Sequence, residues 1–192
     1  MNRIIIVEGP QGTGKTTLTN FLRDNISSSN LYRFSGQKEK GKEGLKYSIK
    51  MYKAFLDYLK DIEDIPMDII LDRSFFSEEV YANLGYKDYS FTDIYNELLD
   101  QFVKLNYQMY YINLYLKNVD LYEERLKRIH HNYHVFSKDS SVKQQEEYLK
   151  LLHGLGNTKI NTLNLAMDDF TNAYERVINF LNLNIPTRKK NN

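Results

Sequence analysis

Apolar residues along this chain keep two different rhythms. Short runs at Ile4 to Val7, Leu31 to Phe34, Asp68 to Leu71 and Met109 to Leu116, with a weaker fifth at Lys159 to Leu163, have the length and the β-branched or aromatic content of buried strands. Between them apolar positions recur at helical spacing, which predicts helices over Thr16 to Ile26, Tyr47 to Asp61, Ser77 to Leu84, Thr92 to Leu105, Leu121 to Ile129, Val142 to Leu152 and Asp168 to Leu181. Pro66 enforces the break before the third strand, since its ring cannot continue a helix. Strands alternating with helices imply right-handed crossovers, so the expected fold is α/β, a parallel five-stranded sheet with helices on both faces. The polar stretch Gly36 to Gly44 is expected to be a mobile loop, and 187–192 a disordered tail.

The first strand runs through Val7 and Glu8 into Gly9-Pro10-Gln11-Gly12-Thr13-Gly14-Lys15-Thr16-Thr17. A Gly-x-x-x-x-Gly-Lys-Thr pattern that follows a strand and opens a helix, here continued by Leu18, Phe21, Leu22 and Ile26, reads as a phosphate-binding loop. Gly9, Gly12 and Gly14 would let backbone N–H groups of the loop, Gln11 and Thr13 among them, wrap an anion at the positive end of the helix that Thr17 enters. Lys15 would reach the β- and γ-phosphates, and the Thr16 hydroxyl would ligate Mg²⁺. The implied cofactors are ATP and Mg²⁺. The fold class is thereby narrowed to a P-loop NTPase three-layer fold, with one domain over 1–186.

Composition then limits the partners. Lys plus Arg number 26 against 25 Asp plus Glu, so no overall field draws the chain to nucleic acid or to an anionic membrane, and any basic site must be local. Without Cys there is no disulfide, thiolate metal site or Cys nucleophile. No run approaches the ~18 apolar residues of a membrane span, and the opening residues lack the pattern of an export signal, so a cytoplasmic protein is expected. The expected partner is a small-molecule nucleotide substrate, with a homodimer as the assembly. Most of the 16 Tyr and 10 Phe are expected to be packing residues.

The third strand ends in Asp72-Arg73-Ser74, and the carboxyl ends of strands in an open parallel sheet form the crevice where ligands bind. An acid there can hold Mg²⁺ through its water shell, so Asp72 joins Thr16 as a metal candidate, while Arg73 can clamp phosphate oxygens. His130 and His134 stand four apart, as metal ligands on one helical face can, but no third ligand is near them in sequence.

Asp72-Arg73-Ser74-Phe75-Phe76-Ser77-Glu78-Glu79-Val80-Tyr81 resembles the Asp-Arg-Tyr-x-x-Ser-x-x-Ala-Tyr block of thymidylate kinases, and deoxynucleoside kinases carry a related Glu-Arg-Ser version. Tyr32-Arg33-Phe34 is similar to the Arg-Phe-Pro end of the second strand in eukaryotic-type thymidylate kinases. Tyr111 to Ile129 resembles the strand and helix that enter their arginine-bearing lid, placed here at about 125–140. The resemblance implies that Arg33 and Arg73 face the acceptor phosphate, that Phe34 lines the base pocket, and that Ser77 and Tyr81 lie on the acceptor, with Tyr81 near the sugar disfavouring a ribose hydroxyl. It also implies a closing lid, and Arg128, at the helix end nearest that loop, is the arginine expected to reach the transferring phosphates, since its fork can bridge donor and acceptor.

Departures from that pattern keep alternatives open. The helix from Tyr47 has no Arg, so Lys50 or Lys53 would have to substitute on the acceptor phosphate, and Lys offers a point charge where Arg offers a fork. Glu147-Tyr148-Leu149 looks like the Glu-Tyr-Leu segment of deoxynucleoside kinases. Yet Arg33-Phe34-Ser35-Gly36 has no acid before Glu39 to serve as the base that a 5′-hydroxyl acceptor needs. The expectation is therefore a kinase that transfers the ATP γ-phosphoryl group to a deoxynucleoside monophosphate, dTMP first. The alternatives are a deoxynucleoside kinase, a nucleotide-binding module with little transfer activity, and an NTPase switch.

Overall fold

The sheet alternation that the sequence predicts is realised with strands shifted by one to three residues. A computed structural model of the chain describes residues 1–35, 39–127 and 137–183. Its strands are β1 (Arg3–Glu8), β2 (Ser29–Arg33), β3 (Asp68–Asp72), β4 (Gln108–Tyr115) and β5 (Asn161–Ala166). All pair in parallel, in the order β2-β3-β1-β4-β5. The helices are α1 (Lys15–Asn25), α2 (Gly41–Asp61), α3 (Phe75–Asn83), α4 (Thr92–Phe102), α5 (Leu121–Lys127), α6 (Lys138–Gly154) and α7 (Phe170–Phe180).

Because successive strand side chains point to opposite faces, β1 divides its apolar residues between two cores. Ile4 and Ile6 pack with Tyr52, Leu56 and Leu59 of α2, Phe75 and Phe76 of α3 and Phe102 of α4. Ile5 and Val7 pack with Leu18 and Leu22 of α1, Tyr122 of α5 and Ala173 and Val177 of α7. The strand is central, so both faces are covered and its sequence is an unbroken apolar run rather than an alternation. β1 lies between β3 and β4, the point where the strand order reverses, and this puts the loop after β1 in the ligand crevice of the sheet.

Two helices, α2 and α6, begin a full turn or more earlier than predicted. Glu39 and Lys40 lead into α2 at Gly41, six residues before the expected Tyr47, so 41–44 of the expected loop are helix, while 36–38 lie outside the described residues. α6 begins at Lys138 rather than Val142, because Ser137 caps it: its hydroxyl accepts from Ser140 N while Ser140 Oγ accepts from Ser137 N. Residues 137–140, assigned to the lid from sequence, are thus the cap and first turn of a helix. Arg128, His130, His134 and the tail 187–192 lie outside the described residues.

The aromatic layer under α3 makes a measurable prediction. Phe76 has no solvent exposure and stacks on Phe75 with ring centroids 4.4 Å apart. Phe76→Ala should cost about 3–5 kcal/mol, as truncation of a fully enclosed ring does. Urea denaturation should show this as a lower midpoint at unchanged slope.

Candidate active site

The phosphate loop depends on close backbone approach at its start. Gly9 has φ +138, and a Cβ there would stand 2.5 Å from the Leu114 carbonyl oxygen of β4, so no larger residue fits without moving the central strands. Gly14 caps α1 in the left-handed region at φ +96, with Phe170 Cε1 3.0 Å from where its Cβ would be. Thr13 closes the turn by donating to the Pro10 carbonyl at 2.8 Å. Lys15 is folded under this turn, its Nζ donating to the carbonyls of Gly9 at 2.8 Å and Pro10 at 2.7 Å. Burial, and then Arg73, press the Lys15 ammonium well below its ordinary pKa, with Asp72 and Glu8 opposing.

Beside the loop lies a cavity of about 720 Å³. It is lined by Gln11, Gly12, Gly14, Lys15, Thr16 and Thr17 of the loop and α1, by Arg33, Phe34 and Ser35 after β2, by Asp72 and Arg73 after β3, and by Arg125 and Phe170. Of the loop residues named from sequence, Gly9 and Thr13 shape the turn without lining the cavity. The others line it.

Asp72 joins three elements at the floor of the cavity. Its Oδ2 accepts from Thr16 Oγ1 at 3.1 Å and Thr19 Oγ1 at 3.4 Å, and Arg33 Nε is 3.5 Å away. The Arg33 side chain remains 49% exposed and also donates to Asn20 Oδ1, so it reaches over the β2 end toward α1. Phe34 leans edge-on against Phe55 of α2, with centroids 4.8 Å apart. A hydroxyl and a carboxylate within hydrogen-bonding distance suit Mg²⁺, which takes few protein oxygens and keeps its waters. Among the described residues no group of three or more His, Cys, Asp or Glu could hold a metal by itself.

Arg73 has φ 71, a left-handed conformation uncommon for a residue with a side chain and one that concentrates at functional sites. Its Nη1 donates to Tyr81 OH at 2.5 Å and, more weakly, to Ser77 Oγ at 3.4 Å, and its Nη2 donates to Gln11 Oε1 at 3.0 Å. The guanidinium thus bridges the phosphate loop and α3. Burial disfavours its charge, but the Tyr81 hydroxyl that accepts from it and the Glu8 carboxylate oppose this, and its pKa stays above the ordinary arginine value. Ser77 and Tyr81, expected on the acceptor, stand behind Arg73 as its braces and are not in the cavity lining.

Neither candidate lysine of α2 lines the cavity. Lys53 Nζ pairs with Glu97 Oε1 on α4 at 2.6 Å, and Lys50 is exposed. Arg125 is a cation that the structure does bring in: it donates to the Met167 carbonyl at 2.9 Å, and its guanidinium lies 5.2 Å from the Phe170 ring centroid. Phe170 was invisible as a site residue, since nothing in its local sequence separates it from helix packing.

Glu8 was also missed, although an acid directly after the buried apolar run Ile4 to Val7 was a readable signal. It has no exposure, and its two oxygens accept from Ser74 Oγ at 2.9 Å and Ser77 Oγ at 2.5 Å. Burial raises its pKa from 4.5 to about 7 against the lowering effects of Ser77, Arg73, Ser74 and Lys15. Between these values the folded chain holds a proton that the unfolded chain has released, so this group makes stability fall as pH rises through that window. The unfolding free energy of wild type relative to Glu8→Gln should drop by about 3 kcal/mol from pH 4.5 to pH 7, measured by denaturant melts at each pH.

No protein-family model and no curated protein matches the sequence. Solved structures do match in fold. The Candida albicans thymidylate kinase superposes with TM-score 0.61 at 18% identity, over 94% of this chain and 92% of that one. The Bacillus subtilis YorR protein, in complex with phosphorylated GDP, gives 0.64 at 21%, over 93% and 94%. The M. mycoides deoxyadenosine kinase with dCMP and dCDP bound gives 0.58 at 18%, over 94% and 98%. The five-stranded parallel sheet, its helices and the loop after β1 together make the P-loop fold that these thymidylate and deoxyadenosine kinases share.

Proposed function

We propose that the protein transfers the γ-phosphoryl group of ATP to a deoxynucleoside monophosphate, with dTMP the acceptor that the 72 to 81 block favours. The charge of the cavity carries this reading: among the described lining residues Lys15, Arg33, Arg73 and Arg125 are cations, and Asp72 is the one acid. Two phosphorylated ligands meeting end to end supply the negative charge that such a lining accommodates. The Arg125–Phe170 stack beside Gly14 offers a flat polarisable surface for the donor base.

The acceptor class follows from which protons must move. A 5′-hydroxyl needs a base, yet Asp72 is engaged by Thr16, Thr19 and Arg33, and Glu8 lies behind Ser77 without exposure. A monophosphate oxygen is already anionic, so positioning and charge stabilisation suffice. Mg²⁺ held near Thr16 and Asp72 would neutralise charge on the bridging phosphates. The deoxynucleoside alternative has one observation in its favour, that Tyr148 of the Glu147-Tyr148-Leu149 segment approaches α3 and lies 2.7 Å from Ser77 Oγ.

A coupled assay across the four deoxynucleoside monophosphates and the four deoxynucleosides separates the two. Turnover is expected with a monophosphate, dTMP first. Turnover confined to nucleosides would transfer the assignment to the alternative, and ATP binding without transfer would leave a binding module. Lys15→Ala should lower kcat about 100-fold or more, the effect of losing one donor to transition-state charge, and a change under about threefold would refute its role. Arg73→Ala should reduce transfer much more than ATP affinity, measured by calorimetry; equal losses would make Arg73 structural.

A further inference from the structure

The carboxylate that closes β1 is joined to the groups that hold Arg73 in place. Glu8 accepts from the two serines at the cap and first turn of α3, Ser74 and Ser77. Ser77 Oγ is in turn 2.7 Å from Tyr148 OH on α6 and 3.4 Å from Arg73 Nη1.

A serine hydroxyl has one proton to give and two lone pairs. With Glu8 ionised, the Ser77 proton goes to Oε2, so its oxygen is left to accept from Arg73 and from Tyr148. The Ser74 proton goes to Oε1, which leaves its oxygen to accept from Phe76 N in capping α3. One buried charge therefore sets the direction of these bonds behind Arg73. A neutral group at Glu8 would carry a donor of its own, and Ser77 could turn its proton toward Tyr148 and cease to be an obligate acceptor.

We propose that Glu8 is a positioning residue, whose carboxylate orders Ser74 and Ser77 so that Arg73 is held in acceptor-binding geometry. The proposal rests on the reading of Arg73 as the acceptor-phosphate clamp. Since Glu8 directly precedes Gly9, the same carboxylate ties the start of the phosphate loop to the start of α3, the donor side to the acceptor side. Its ionisable neighbours are Lys15 of the loop, Arg73 after β3, Tyr52 of α2, Tyr95 of α4, Tyr111 of β4 and Tyr148 of α6. The two cations favour the carboxylate, and burial raises the four phenols, which stay neutral around pH 7. Both states of Glu8 are accessible near neutrality, since burial brings its pKa to about 7.

The test has two arms, both on the whole chain. In the first, the side-chain Nε–Hε resonance of Arg73, assigned by its loss in Arg73→Lys, is followed in 15N-arginine-labelled protein from pH 6 to pH 8.5. It is expected to shift with pH in wild type and to be invariant in Glu8→Gln; an invariant line in wild type, or the same titration in the variant, would overturn the proposal. Wild type alone suffices for this reading if the variant does not fold. In the second arm, Glu8→Gln should raise the acceptor KM about tenfold while the ATP KM stays within about twofold, and equal changes in both, or in neither, would also overturn it. If wild type phosphorylates no acceptor, the functional reading fails by itself, and the arginine titration still judges Glu8.

Discussion

Gathering several cations around one small cavity is the constraint on which the rest of this structure depends. Lys15 is buried and Arg73 half-buried, and the loss of water disfavours the charge of each unless an anion offsets it. Two carboxylates supply that anion from the carboxyl ends of adjacent strands, Glu8 from β1 and Asp72 from β3, in strands whose register pairs Val7 with Asp72. Asp72 gathers α1 and Arg33, while Glu8 gathers the start of α3 and, through Ser77, α6. The parallel sheet brings all these carboxyl ends to one edge, so the electrostatic problem and its solution arise from the same topology.

The two acids play unlike parts because their surroundings differ. Asp72 lines the cavity and meets hydroxyls and a half-exposed arginine, the setting of a group that can exchange its partners for a hydrated cation. Glu8 is enclosed, touched by serine hydroxyls rather than by a direct cation, and burial dominates its ionisation. The arginine between them is strained in its backbone and held at each end, by Gln11 on the loop side and Tyr81 on α3. Under the proposed function, such a side chain would lose little freedom on taking up a phosphate, which would favour binding and transfer alike.

Much of this was legible in the chain itself. The order of strands and helices, the parallel sheet, the phosphate loop and the Asp72-Arg73 pair follow from local rules, because an apolar run, a glycine-rich turn and a helical stripe each declare themselves over a few neighbouring residues. Helix starts were less legible: Ser137 and Ser140 cap each other reciprocally, a feature that a Ser-rich stretch disguises as loop.

What the sequence by itself determined, then, was the scaffold and the glycine-rich loop between β1 and α1; the tertiary structure decided the company each residue keeps. Lys53, a candidate for the missing helix arginine, is turned away to Glu97, and Ser77 and Tyr81 serve Arg73 rather than the open cavity. Arg125 and Phe170 meet beside Gly14 although 45 residues separate them in the chain. Glu8, Ser77 and Tyr148 come from three elements spread over most of the chain, and their contacts depend on which face of α3 and α6 is buried. Local patterns fix the period and the end of an element, but a contact between distant elements depends on packing rotations and approaches of an ångström or two, which only the folded core sets.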